Sequence, residues 1–240
     1  MMNILLTGIS KGLGLSTAKV LLKKGHNIYG LSRSTTSELK ELKSKYSNTL
    51  HLLQYDLQDS DKIRKKIFRE FLKGVSLNAF INNAALAYDD IITNAQVEPL
   101  NHMFGVNVYS PIILTKYSIR NMILNKIKGS IIHISSISVH TGYKGLSMYA
   151  ASKGALEAFS KNTAREWGAL GIRSNCIVSG FMDTEMSSTL SESQKNRIYN
   201  RTSLKKPVNP DSIAATISFL ISDEAESVTG QNIFVDSGTI

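Results

Sequence analysis

Cysteine is all but missing from this chain, with Cys176 the single thiol among 240 residues. That excludes an internal disulfide framework and fits a reducing compartment. Extended apolar stretches are missing too. The opening "MMNILLTG" meets glycine after a run too short for a secretory h-region, and no segment approaches the length that spans a bilayer. A cytoplasmic protein with no membrane partner is therefore expected. Acidic charge is in deficit: 19 Asp and Glu stand against 28 Lys and Arg, a formal net charge of +9. Such a balance suggests nucleic acid, but the bases are scattered in short clusters (Lys23-Lys24, Lys65-Lys66, Lys205-Lys206) with no Arg-rich tail and no zinc-ligand spacing. No nucleic-acid partner and no metal are expected; a general attraction for phosphates is the milder consequence. Linkers and repeats are also lacking, so residues 1–240 are expected to form one domain.

What is present reads as α/β. Hydrophobic content of 42% and charged content of 20% suit a globular protein. Short apolar runs at 3–7, 27–31, 50–54, 78–82, 130–134, 174–178 and 232–236 read as strands, several of them apolar on both faces. Between them, 15–24 and 60–72 have helical period; in the second, Ile63, Ile67, Phe68 and Phe71 form the stripe to be buried. The stretch 99–126 reads as one long helix, bent at Pro111. Alternating strands and helices predict a doubly wound parallel sheet of about seven strands, of Rossmann type, with helices on both faces.

The first strand runs into "TGISKGLG", with Gly8, Gly12 and Gly14 ahead of an apolar-periodic helix. Glycines in that place let the backbone turn tightly and approach a pyrophosphate seated on helix N–H groups. The spacing is G-x-x-x-G-x-G. At the end of the second strand, where an acid would hold a ribose 2′-hydroxyl, stand Ser32 and Arg33. A guanidinium grips a 2′-phosphate that a carboxylate would repel, and Lys11 adds a second cation, so NADP(H) is expected in preference to NAD(H).

In "SMYAASKGALEAF", Tyr149 precedes Lys153 by four residues, one helical turn. Alone, that spacing suits an acid and its electrostatic tuner or two unrelated helix residues. With "TGISKGLG", "INNAA", "HISSIS", "YAASK", "SGFMDTEM" and "VTGQNIFVDSG" in this order, the chain resembles the short-chain dehydrogenases/reductases of the single-domain type, and most of all their 3-oxoacyl-carrier-protein reductase branch. The resemblance covers essentially the whole length. It implies a nicotinamide-dependent carbonyl/alcohol oxidoreductase, assembled as a homotetramer or dimer and acting on a small-molecule substrate. It places the catalytic residues at Ser136, Tyr149, Lys153 and Asn107, the asparagine holding a water that links the lysine to solvent. It places cofactor contacts at Gly8, Ser10, Lys11, Gly12, Leu13, Gly14, Ser32, Arg33, Asp56, Leu57, Asn82, Asn83, Ala84, Tyr149, Lys153, Gly180, Met182 and Thr184. Ser135 is read as a structural strand-end hydroxyl.

Three departures qualify the acyl-carrier reading. Ala85 replaces the last glycine of the family's "NNAG", Ser179-Gly180 replaces a Pro-Gly, and Ile127 and Leu170 stand where carrier-docking bases are usual. The segment 184–207 is expected to form a substrate lid. Met182, Met186, Leu190, Tyr199, His140 and Tyr143 either face the substrate or pack as core; Trp167 lies at an interface or caps the core. Cys176 is expected to be inert packing.

The chemistry asks for an acid near the carbonyl oxygen. A cation about 4 Å from a phenol at an effective dielectric of ~20 favours phenolate by roughly 4 kcal/mol. On that ground Lys153 is expected to lower the Tyr149 pKa by about three units before its own desolvation is subtracted. Ser136 would donate to the oxygen as charge develops. An oxidative alcohol, sugar or polyol dehydrogenase, and an idle dinucleotide-binding regulator, remain as alternatives.

Overall fold

Residues 1–183 and 191–240 are described by the computed structural model. Seven short strands, β1 (Asn3–Thr7), β2 (Asn27–Ser32), β3 (Leu50–Gln54), β4 (Ala79–Asn82), β5 (Ser130–Ser136), β6 (Arg173–Ser179) and β7 (Asn232–Val235), form one sheet. Its order is β3-β2-β1-β4-β5-β6-β7, with every pairing parallel. The order reverses between β1 and β4. Such a switch point opens a crevice at the carboxyl ends of the strands, where α/β proteins bind ligands.

Two apolar layers explain why the strands read as continuous hydrophobic runs. Ile4, Leu6, Ile28, Ile81, Ile132 and Ile177 face one layer with α1 (Gly12–Lys23), α2 (Ser37–Lys45) and α8 (Pro210–Ile221). Leu5, Leu31, Phe80 and Ile131 face the other, beneath Ile63, Ile67, Leu114 and Met122. Neither α2 nor α8 is apparent from periodicity. α2 buries only Leu39 and Leu42, and α8 presents the apolar run "SIAATISFLI", which suits a strand as well as a helix.

The helix expected over 60–72 is a 3₁₀ turn, Ser60–Lys62, followed by a π-helix, Arg64–Phe71; Ile63 and Ile67 are buried as anticipated. The long helix is interrupted, but not at proline. α3 (Val97–Phe104) passes into a π turn, Gly105–Tyr109, before α4 (Ser110–Leu124). Pro111 sits in the first turn of α4, where its missing N–H costs nothing. A short α5 (Ser138–Thr141) leads into the 21-residue α6 (Ser147–Trp167), and α7 (Glu192–Tyr199) precedes α8. Trp167 packs against the second apolar layer, whereas Leu170 is exposed.

Candidate active site

The glycine turn is built by a close approach that no side chain survives. A Cβ on Gly14 would meet the Gly8 carbonyl oxygen at 2.0 Å, so Gly14 packs beneath the turn. Gly8 has φ +70°, and Asn83 Nδ2 donates to the Thr7 and Gly8 carbonyls at 3.1 Å each. Thr7 Oγ1 accepts from the backbone N–H groups of Asn83 and Ala84, both at 3.0 Å, which ties β1 to the loop after β4. At the start of α1 the first turn carries no acid, and the cap residue, Lys11, makes no side-chain capping bond. Helix N–H groups left in this way suit an anion. Thr36 caps α2 and also donates to the Ser10 carbonyl at 2.8 Å, fixing the loop from its far side.

One crevice gathers most of the expected contacts. Gly8, Ser10, Lys11, Gly12, Leu13, Ser32, Arg33, Asp56, Leu57, Asn83, Ala84, Tyr149, Lys153 and Met182 all line it. The Arg33 guanidinium makes no hydrogen bond or ion pair among the described residues. Ala85, Tyr55 and Ser135 line it as well, and no sequence motif singled out Tyr55 for that position. Burial pushes the Tyr55 phenol up to about 12, so it stays neutral. A glycine cradle, an uncapped helix start and two cations, Lys11 in the glycine turn and Arg33 beyond β2, fit a nicotinamide dinucleotide.

Other expected residues sit one layer back. Asn82 is buried, bonded to Thr7 at 3.5 Å and to His133 Nδ1 at 3.3 Å. Gly180 lies against Asp236 and Val208, which would clash with a Cβ. Asn107, in the π turn, is wholly engaged: Oδ1 accepts from Leu86 N, and Nδ2 donates to Leu86 O and to Ser152 Oγ, at 2.8, 2.8 and 3.0 Å. Its amide thus pins the loop beyond Ala85 to α6. Ser136 ends β5, and its Oγ accepts from Ser138 N at 3.2 Å, leaving its own proton to donate. Thr184, Met186 and Leu190 lie outside the described residues. Tyr199 packs on Phe181 at 5.9 Å and His140 on Phe234 at 5.0 Å, and neither lines the crevice.

One electrostatic expectation is overturned. The Lys153 ammonium lies 5.7 Å from the Tyr149 ring centroid and donates to the Ile134 carbonyl at 2.8 Å. Burial nevertheless raises the Tyr149 pKa above the ordinary tyrosine value, with a smaller contribution from the Asp89 charge. Lys153 itself is pulled down to about 8 by burial. Desolvation penalises both charged forms and is the leading cause at each. Burial likewise drives Cys176 up to about 12, which keeps it an inert thiol, and His133 down to about 3.

Comparison with known proteins agrees with this geometry. The family described as enoyl-(acyl carrier protein) reductase matches residues 8–239. The chain belongs to the short-chain dehydrogenase/reductase family and is an NAD(P)-dependent oxidoreductase acting on CH–OH/C=O groups. It is 30% identical over 237 residues to the 3-oxoacyl-[acyl-carrier-protein] reductase FabG of Chlamydia muridarum, covering 98% of this chain and 95% of that protein. Among solved structures it resembles 4-hydroxyisoleucine dehydrogenase complexed with NADH, with TM-score 0.93 and 28% identity over 100% of this chain and 98% of the other. It also resembles ElxO with NADP bound, with TM-score 0.89 and 25% identity over 100% and 99%. No helix among the described residues is long and apolar enough to cross a membrane, and none of their His, Cys, Asp and Glu side chains cluster as metal ligands.

Proposed function

We propose that the protein is an NADP(H)-preferring, cytoplasmic reductase of a ketone or 3-oxoacyl group. One observation carries this reading: Lys11, Ser32 and Arg33 share a continuous crevice with Tyr149 and Lys153. A phosphate grip at one end and a proton donor at the other span the two ends of a dinucleotide. Likeness to FabG and to an NADP-bound protein adds support.

When bound, the nicotinamide supplies hydride to the carbonyl carbon. Ser136 donates a hydrogen bond to the carbonyl oxygen, and Tyr149 gives that oxygen its proton. Lys153, one helical turn on, offsets the charge then left on the phenol. Asn107 positions the loop after β4 against α6. The segment 184–207, whose first seven residues lie outside the described ones, is taken as the lid of a single 1–240 domain, and exposed Tyr109, Leu124, Phe219 and Phe234 are covered in a homotetramer.

The test is an NADPH- and NADH-oxidation screen over acetoacetyl thioesters, diketones and keto-sugars, with Arg33→Asp in parallel. Turnover with NADPH on a carbonyl substrate is expected. Arg33→Asp should weaken NADPH ~30-fold or more, the loss of a charge-assisted bidentate contact of about 2 kcal/mol, and NADH far less. Equal losses would remove Arg33 from the 2′-phosphate. Turnover only in the oxidative direction with NAD would favour the dehydrogenase alternative, to which the likeness to an NADH-bound dehydrogenase points.

A further inference from the structure

Glu157 follows Lys153 by one turn of α6, on the face that packs against the sheet, and is 8% exposed. A carboxylate removed from water needs replacement partners. It receives them from three elements. Ser135 Oγ, near the end of β5, donates to Oε1 at 2.5 Å, and Asn232 Nδ2, on β7, donates to Oε2 at 2.6 Å. His140 Nε2, on α5, lies 3.2 and 3.0 Å from the two oxygens, its ring held edge-on by Phe234. Apart from Lys153, the other buried residues of α6, such as Leu156, Ser160 and Ala164, are apolar or small. A mere space-filler here would require none of these partners.

What the carboxylate grips is the segment that carries Ser136. Ser135 precedes that serine, α5 follows it, and Ile137 N donates to the Ser179 carbonyl at 3.0 Å. Glu157 itself rides the helix that carries Tyr149 and Lys153. The two halves of the reacting site meet through one side chain.

We infer that Glu157, with His140, is a positioning residue that sets the Ser136 hydroxyl against the Tyr149 phenol. The inference rests on the reading above, in which those two groups handle the carbonyl oxygen. Misplacing a reacting group by about 1 Å costs up to 10²-fold in rate. Ser135 is the network member that also lines the crevice, whereas Glu157, His140 and Asn232 do not, so replacing Glu157 should leave coenzyme affinity largely alone.

The experiment measures kcat, coenzyme Kd and Tm for Glu157→Leu, Glu157→Gln, His140→Phe and Ser135→Ala, with Tyr149→Phe alongside. Glu157→Leu is expected to lower kcat ~30-fold or more with coenzyme Kd within about twofold. Glu157→Gln, which still accepts from Ser135, should recover kcat to within about fivefold of the parent. Parental kcat in Glu157→Leu, whatever its Tm, overturns the inference, as does a Gln variant no better than the Leu variant. Where Glu157→Leu fails to fold, His140→Phe and Ser135→Ala decide: reduced kcat in His140→Phe with coenzyme Kd within about twofold supports positioning, and parental kcat in both overturns it. Parental turnover in Tyr149→Phe would overturn the underlying reading instead.

Discussion

Lys153 is the residue whose chemistry changes most between sequence and structure. Spacing alone puts a cation beside a phenol, but spacing carries no information about burial. Burial sets Lys153 at about 8 and holds Tyr149 above its usual value. Tyr149 is therefore a loaded proton donor across the neutral range, and the group that titrates there is the lysine. Reductive kcat should hold steady below about pH 8 and fall as the ammonium is lost above it. The linkage to stability has a defined sign. The folded chain releases the Lys153 proton near 8 and the unfolded chain near 10.5, so stability rises with pH across that window by about 3 kcal/mol. Lys153→Met removes the rise. Chemical denaturation at about pH 7 and about pH 10 should show the variant's relative stability shrinking by an amount of that order; an unchanged difference would mean that the lysine is not desolvated.

The strand–turn–helix unit at the N-terminus is the most legible element, because its determinants are local. Three glycines in seven residues announce a backbone that must pass close to something. Gly14→Ala should weaken coenzyme binding at least tenfold, since its Cβ would overlap the Gly8 carbonyl oxygen. Gly25, with φ +80° and open space around it, is the control: Gly25→Ala should lower Tm by a strain of about 1 kcal/mol and leave coenzyme affinity alone. Equal affinity in the two variants, read by isothermal titration, would contradict the cradle. The break in the long helix was not legible in this way. Proline is a loud local signal, yet Pro111 is harmless at a helix start, while the π turn at Gly105–Tyr109 carries Asn107, whose amide reaches back to Leu86 across the fold. No window of sequence contains that partner. The Glu157 network was hidden for the same reason, its four members spanning residues 135 to 232.

Taken together, the seven parallel strands bring the ends of β1, β2, β4, β5 and β6 to one rim, and that convergence makes a site from residues scattered between 8 and 182. Periodicity found every strand, since strands covered on both sides are apolar throughout, but it missed α2, too polar to stand out, and α8, too apolar to tell from a strand. Assembly adds one expectation. Tyr109, just ahead of α4, and Leu124, at its far end, are 55% and 83% exposed, and large apolar side chains left exposed along one helix favour burial against another copy. The parent should sediment as a tetramer and Tyr109→Asp/Leu124→Asp as a smaller species; identical profiles would take α4 out of the interface. The central claim is that Tyr149 delivers the proton to the carbonyl oxygen in a crevice whose coenzyme grip lies elsewhere. Its most direct measurement is kcat and NADPH affinity for Tyr149→Phe with a substrate found by the carbonyl screen. Tyr149→Phe is expected to show a kcat at least 10³-fold below the parent, the upper range of a lost general acid, with NADPH affinity within about twofold. More than a tenth of parental kcat would contradict it.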